Sequence, residues 1–240
     1  MKILVFDVVG KCAHFRKVYT NSSSLSYFVP PKTTINGILA SVLGIERDTY
    51  YEDFLTGKVE VALKVMSPLR KMVHTINYMF YKTNSDLTNR VQGTQVPYEL
   101  VASENDNLKY RIYVNMKDDL MFSQLINLIK NKKSRYIPSL GALPFSCKID
   151  YIGIFESEEM QCNDIVEFDS IINMDCFVPN TLQIDKENIH LVKEQMPRNI
   201  FKDRNPDKLV DYLIEYSGNN LKLKVNSNYY KVNNENIVFM

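Results

Sequence analysis

Little in this chain points to bond-breaking chemistry. Its four cysteines, Cys12, Cys147, Cys162 and Cys176, stand far apart with no C-x-x-C pair, and its three histidines, His14, His74 and His190, are equally scattered. A zinc site draws its ligands from close pairs, so no metal is expected, and reduced, mostly buried thiols are the plain reading. No P-loop, G-x-G-x-x-G, G-x-S-x-G or H-E-x-x-H occurs, which argues against a nucleotide-driven or hydrolytic enzyme and leaves no cofactor to expect. No apolar run approaches the ~20 residues of a membrane span. The start, MKILVFDVVGK, is too short for a signal peptide and holds Asp7 in its apolar stretch. It reads as a first strand, with no membrane partner and the cytoplasm as the default location.

What is present is a globular composition with an uneven charge. Apolar residues make 45% and charged residues 24% of 240, enough for one large domain or two small ones with a real core. The net charge of +1 hides a segregation: residues 1–148 hold 20 Lys and Arg against 12 Asp and Glu, while residues 149–240 hold 9 against 16. A basic first part, at +8, suits a polyanion, and an acidic second part, at −7, suits basic protein neighbours.

The pattern along the chain predicts an α+β fold. KILVFDVVG is a strand ended by glycine, and residues 11–32 form a polar loop. Ile35, Ile38, Leu39, Val42 and Leu43 then mark one face of a helix, with Thr33 or Thr34 as its cap and Gly44 as its stop. A short helical piece over 50–55 precedes the strand KVEVALKVM, and MVHTINYMFYK reads as a further strand. Polar residues 83–108 form an irregular excursion. The strand YRIYVNM alternates Tyr110, Ile112 and Val114 with Arg111, Tyr113 and Asn115. A helix with Asp118 and Asp119 at its start and lysines at its end follows, then the strand CKIDYIGIF. Strand, helix, strand, strand, helix, strand is the ferredoxin-like (RRM-like) split βαβ order, over residues 1–155. Residues 156–240 read as a smaller β-rich region, with a hairpin at 217–220.

The stretch SYFVPPKTTINGILASVLGI joins a rigid Pro30-Pro31 turn, Lys32 and a helix N-terminus. Free amides beside a lysine bind phosphate well; the same residues also fit an ordinary capped helix with a solvated lysine. With its flanks this stretch resembles the N-terminal signature of the CRISPR-associated RAMP proteins, in particular the family-five subunit of type I Cascade complexes. TQVPYELVASENDNLKYRIYV is similar to the segment returning from that family's thumb, and YIPSLGALPFSCKIDYIG to the loop before its last ferredoxin strand.

The resemblance implies a non-catalytic RNA holder whose palm and β-hairpin thumb grip the 5′ handle of the CRISPR RNA. Such a subunit caps the backbone filament of family-seven subunits, supports the large subunit, and meets target DNA through the complex, with subtype I-B the candidate. Mapped here, the thumb is the 83–108 insertion with Arg90 and Gln92 near its tip, and the palm loop supplies Arg16, Lys17 and Lys32. Lys11, Thr33, Thr34 and Arg111 complete the polar set expected at RNA. Tyr27, Phe28 and Tyr113 are the rings available for stacking, with core packing as the competing role. The rival is metal-independent cleavage of precursor repeat RNA, as some members of the family perform. That needs a general base and acid, for which His14 and Tyr27 are the candidates, while the alternation makes His74 a packed residue.

Overall fold

The computed structural model describes residues 1–20, 23–79, 81, 83–88, 93–105, 107–184 and 189–240. Its centre is β1 (Lys2–Gly10), whose near-continuous apolar run is buried on both faces of a four-stranded antiparallel sheet. β2 (Val59–Val65), β5 (Leu108–Met116) and β6 (Lys148–Glu156) complete it in the order β2-β5-β1-β6. Two helices, α1 (Lys32–Leu43) and α2 (Asp119–Lys130), connect β1 to β2 and β5 to β6. This is the ferredoxin-like arrangement.

One face of β1, Leu4, Phe6 and Val8, packs with Leu39 of α1 and Leu125 and Ile129 of α2. Asp118 starts α2 by accepting the Leu120 and Met121 amides, each at 3.0 Å. Gly44, at φ +79, ends α1 in the left-handed conformation. The opposite face, Ile3, Val5, Ala62 and Tyr113, is covered by Val232 and Ile237 of the C-terminal part. The alternation of β1 thus serves two cores.

The thumb is a long hairpin of β3 (Leu69–Met79) and β4 (Gly93–Ser103), paired without interruption from Leu69↔Ser103 to Met79↔Gly93. It therefore starts at Leu69 rather than at the expected 83, because both strands run out of the palm as one ribbon. His74 sits exposed on it, not packed. Residues 50–55 form successive turns instead of a helix. The expected polar loop of 11–32 is partly paired: Cys12–Ala13 joins the thumb strand β4, and Phe15–Arg16 pairs with Ser26–Tyr27.

Beyond β6 the chain forms short strands. β7 (Leu191–Pro197) pairs with β8 (Leu209–Glu215), while Leu221–Leu223 pairs with Val166–Phe168. The turn at 217–220 therefore links two sheets and closes no hairpin. Phe168, Leu213, Leu223 and Tyr229 make a local core, but Met196, Val210, Tyr212 and Ile214 belong to the palm core. Backbone bonds from Ile171 to Leu63, Met240 to Val61 and Leu69 to Tyr216 tie the parts together.

Candidate nucleic-acid interface

The N-terminal segment is locked where palm, thumb and C-terminal strands meet. Ser24 donates its amide to Pro97 at 3.0 Å and accepts the Glu99 amide at 2.9 Å, fixing the segment to β4. Ser26 Oγ accepts the Phe15 amide, and the Ser26 amide bonds the Glu99 carboxylate at 2.8 Å. Beneath lies a buried ionic knot. Glu194, 3% exposed, meets Lys17 at 2.9 Å and Lys71 at 3.4 Å and accepts the Phe28 amide at 2.8 Å. Lys71 also reaches Glu99 at 3.2 Å and the Ser26 carbonyl at 2.6 Å. Burial works against the charge on Lys17, yet the Glu194 carboxylate holds its pKa above the usual lysine value.

Above this knot opens a groove of about 460 Å³. Arg16, Thr33, Thr34, Tyr78, Tyr98 and Gly141 are on its walls. Arg16 is exposed, with one bond to the Thr20 carbonyl at 3.3 Å. Pro31 and the two threonines mark the N-terminus of α1, which no side chain caps, so the expected threonine cap is absent. Tyr78, 48% exposed, offers a ring from the far part of the β3–β4 ribbon, where it pairs with Thr94. Sequence reasoning missed Tyr78 because it lies before the expected 83–108 insertion, and Tyr98 because nothing in its local pattern places it on a groove. The cross-strand pair His74↔Tyr98 is set by a register that no local pattern reveals.

The other candidates are placed differently. Lys32 is fully buried, with its ammonium donating to Thr56 Oγ1 at 2.7 Å, and burial pushes its pKa down to about 8. It points inward because Lys32, Ile35 and Leu39 share one face of α1, so it is no phosphate ligand. Arg111 lies beneath the C-terminal strands. Its guanidinium donates to Asp7 through Nε at 2.9 Å and to Glu235 at 3.3 Å, so its predicted contact with RNA is corrected to a structural one. Tyr113 is buried with its hydroxyl donating to Glu235 at 2.7 Å, and Tyr27 is buried beside Lys17. Neither ring is available for stacking. Phe28 stacks on Tyr216 at 4.6 Å with Lys71 over it. Lys17 is spent on Glu194, and Lys11 is exposed but outside the groove's walls. Arg90 and Gln92 lie outside the described residues.

His14 also lines the groove, but both ring nitrogens are engaged: Nδ1 with the Glu99 carbonyl at 2.8 Å and Nε2 with Ser24 Oγ at 3.1 Å. It stacks on Tyr98 at 4.0 Å, and burial lowers its pKa. Tyr27 has its pKa pushed up to about 12 by burial. A buried imidazole tied at both ends and a phenol of that kind are poorly placed to exchange a proton with a 2′-hydroxyl. Gly141, at φ +88, closes the floor, since a Cβ there would overlap the His14 carbonyl oxygen. Among the described residues no cluster of three metal-ligating side chains occurs, and no helix is long and apolar enough to cross a membrane.

Residues 3–106 match the family model of the CRISPR-associated protein (Cas_Cas5). A solved CRISPR protein from Archaeoglobus fulgidus superposes with a TM-score of 0.63 at 13% identity, over 100% of this chain and 99% of that one. A chain of a CRISPR RNA-guided surveillance complex gives 0.52 at 9% identity, over 92% and 91%. At such identities the likeness is one of fold. No curated protein matches the chain.

Proposed function

We propose that the chain, whose residues 3–106 match the Cas5 family model, is a Cas5-type RAMP protein and a non-catalytic subunit of a CRISPR effector complex that holds the 5′ handle of the guide RNA. The observation that carries this reading is the groove itself. An exposed arginine, two threonines at a helix N-terminus and a half-exposed tyrosine converge on one cleft, a set suited to phosphates and unstacked bases. The palm sheet offers no competing platform, because its outer face is closed by C-terminal strands. RNA is therefore gripped at the rim, between the thumb ribbon at Tyr78 and Tyr98 and the start of α1. The thumb then faces the backbone subunits, and the acidic C-terminal part faces the large subunit, in a cytoplasmic antiviral complex that meets target DNA through its partners.

The test is a gel. Purified protein is mixed in EDTA with end-labelled repeat RNA or with its mature 5′ handle, and run on native and denaturing lanes. A shift with intact RNA, lost on Arg16→Glu with the melting temperature kept, is the expected result. A discrete cut abolished by His14→Ala would replace the holder with a processing nuclease. Unchanged binding in Arg16→Glu would remove the groove from the reading.

A further inference from the structure

The groove is not the only place where positive charge stands unneutralised. Residues 120–149 contain no Asp or Glu, yet hold Lys130, Lys132, Lys133, Arg135 and Lys148. Among the described residues none of the first four has an ion-pair partner, and Lys148 meets only the half-buried Asp150, at 2.7 Å. Lysines at the end of α2 would ordinarily be explained by its last carbonyls. Here backbone amides already take those carbonyls: Asn131 binds Asn127, Lys132 binds Ile129 and Lys133 binds Leu128, at 2.9 to 3.1 Å. The lysine heads are left for something else.

Three of them, Lys132, Lys133 and Lys148, also share a cavity. Lys132 is at φ +54, and the turn it makes places Lys132, Lys133 and Ser134 around about 170 Å³ of space with Pro138, Cys147 and Lys148. Burial pushes the Cys147 thiol up to about 12, so no thiolate competes there for an anion. The flanking side chains are unusually apolar for a surface: Tyr136 is 54%, Ile137 73% and Leu143 81% exposed. Ser134 and Pro138 line the lysine cavity while Gly141 and Ala142 line the groove, so one continuous segment borders both.

We propose that the surface of Lys130, Lys132, Lys133, Arg135 and Lys148 is a second binding track for a nucleic-acid phosphodiester backbone, continuing from the groove across the 134–142 segment. A cluster of unpaired ammonium groups with a hydroxyl donor suits phosphate, and the exposed ring and aliphatic side chains beside it suit bases or sugars. An acidic peptide would meet the charge but leave these apolar groups uncovered.

The experiment compares wild type with Lys132→Gln/Lys133→Gln/Lys148→Gln and with Arg16→Glu, each first shown by circular dichroism to melt like wild type. Fluorescence anisotropy is read with four probes: an RNA of handle length, an RNA extended beyond the handle, duplex DNA and poly-glutamate. The triple variant is expected to weaken the extended RNA about tenfold, to lower its salt slope by about 2, as three lost phosphate contacts require, and to spare the handle-length RNA. A loss confined to duplex DNA also supports the track and assigns it to DNA. No change with either nucleic acid, or a loss with poly-glutamate alone, overturns it. Failure of Arg16→Glu to affect the short RNA would strike the groove reading and leave the track to be judged on its own probes.

Discussion

Two sets of cations in this molecule share a sequence region but not a fate. Lys64, Lys71, Lys17 and Arg111 come from the basic part, and all end against acids. Lys64 meets Asp169 at 2.7 Å and Glu235 at 2.9 Å, Arg111 meets Asp7 and Glu235, and Lys17 and Lys71 meet Glu194. Arg16 and the Lys130–Arg135 run stay on the rim and in solvent. The segregation of charge along the chain is thus largely complementarity between two halves of one molecule. Among the cations left without an acid are Arg16 on the groove and the Lys130–Arg135 run beside the lysine cavity. These buried cations are fasteners, and the unpaired exposed ones are the proposed contacts.

The sharpest way to break that distinction is to remove the carboxylate that two fasteners share. Glu194→Ala leaves Lys17 and Lys71 short of a partner and the Phe28 amide without an acceptor in a closed site. A loss of about 3–5 kcal/mol is expected. Urea unfolding measures it, and a variant within 1 kcal/mol of wild type would show that the knot is decorative. Lys32 tests the same idea through pH. Its folded pKa of about 8 lies below the ~10.4 of an unfolded lysine, so between those values the unfolded state holds more protons and stability rises with pH. Lys32→Met should therefore be more stable than wild type at pH 7, by up to about 3 kcal/mol. The difference should shrink by roughly 1 kcal/mol per pH unit between 8 and 10. Parallel melting curves at pH 7 and 10 would refute it. Gly141→Ala is the steric counterpart: strain at φ +88 and the clash with His14 should cost about 1–3 kcal/mol and loosen the groove's floor, seen as a lower melting temperature together with weaker RNA binding.

The order of palm strands and helices was legible because each follows from local periodicity: the α1 stripe at Ile35, Ile38, Leu39, Val42 and Leu43 and the alternation of β5 both appear as read. The stripe even extends back to Lys32, and its i, i+3, i+7 spacing with Ile35 and Leu39 was the signal that the lysine turns inward. What local pattern could not show is which face of the sheet another part of the chain would cover. Arg111 and Tyr113 alternate correctly onto the polar side of β5, but that side is closed by Glu235 and Ile237, more than 120 residues away in sequence. The thumb's reach was hidden for a similar reason, since a ribbon that leaves the palm keeps the strand pattern of the sheet it leaves. Of the site candidates that line the groove, His14 and Tyr27 are buried, and Arg16, Thr33 and Thr34 keep accessible surface, in a segment whose placement depends on the nearby prolines and helix.

The finest test of the distinction is Arg16→Ala set beside Arg111→Ala. Arg16 is exposed and packs little, so its removal should leave stability within about 0.5 kcal/mol. If it meets a phosphate in the groove, RNA affinity should fall several-fold and the slope of log affinity against log salt should drop by about 0.7, the share of one contact to a single strand. Arg111→Ala should do the reverse. It strips Asp7 of its two guanidinium bonds under the C-terminal cover, lowering the melting temperature while the folded fraction keeps the wild-type salt slope. Anisotropy titrations from 50 to 300 mM salt, run below both melting transitions, read the two effects separately. Equal changes in slope for the two variants would mean that the covered face opens to RNA after all, and the line between fastener and contact would have to be redrawn.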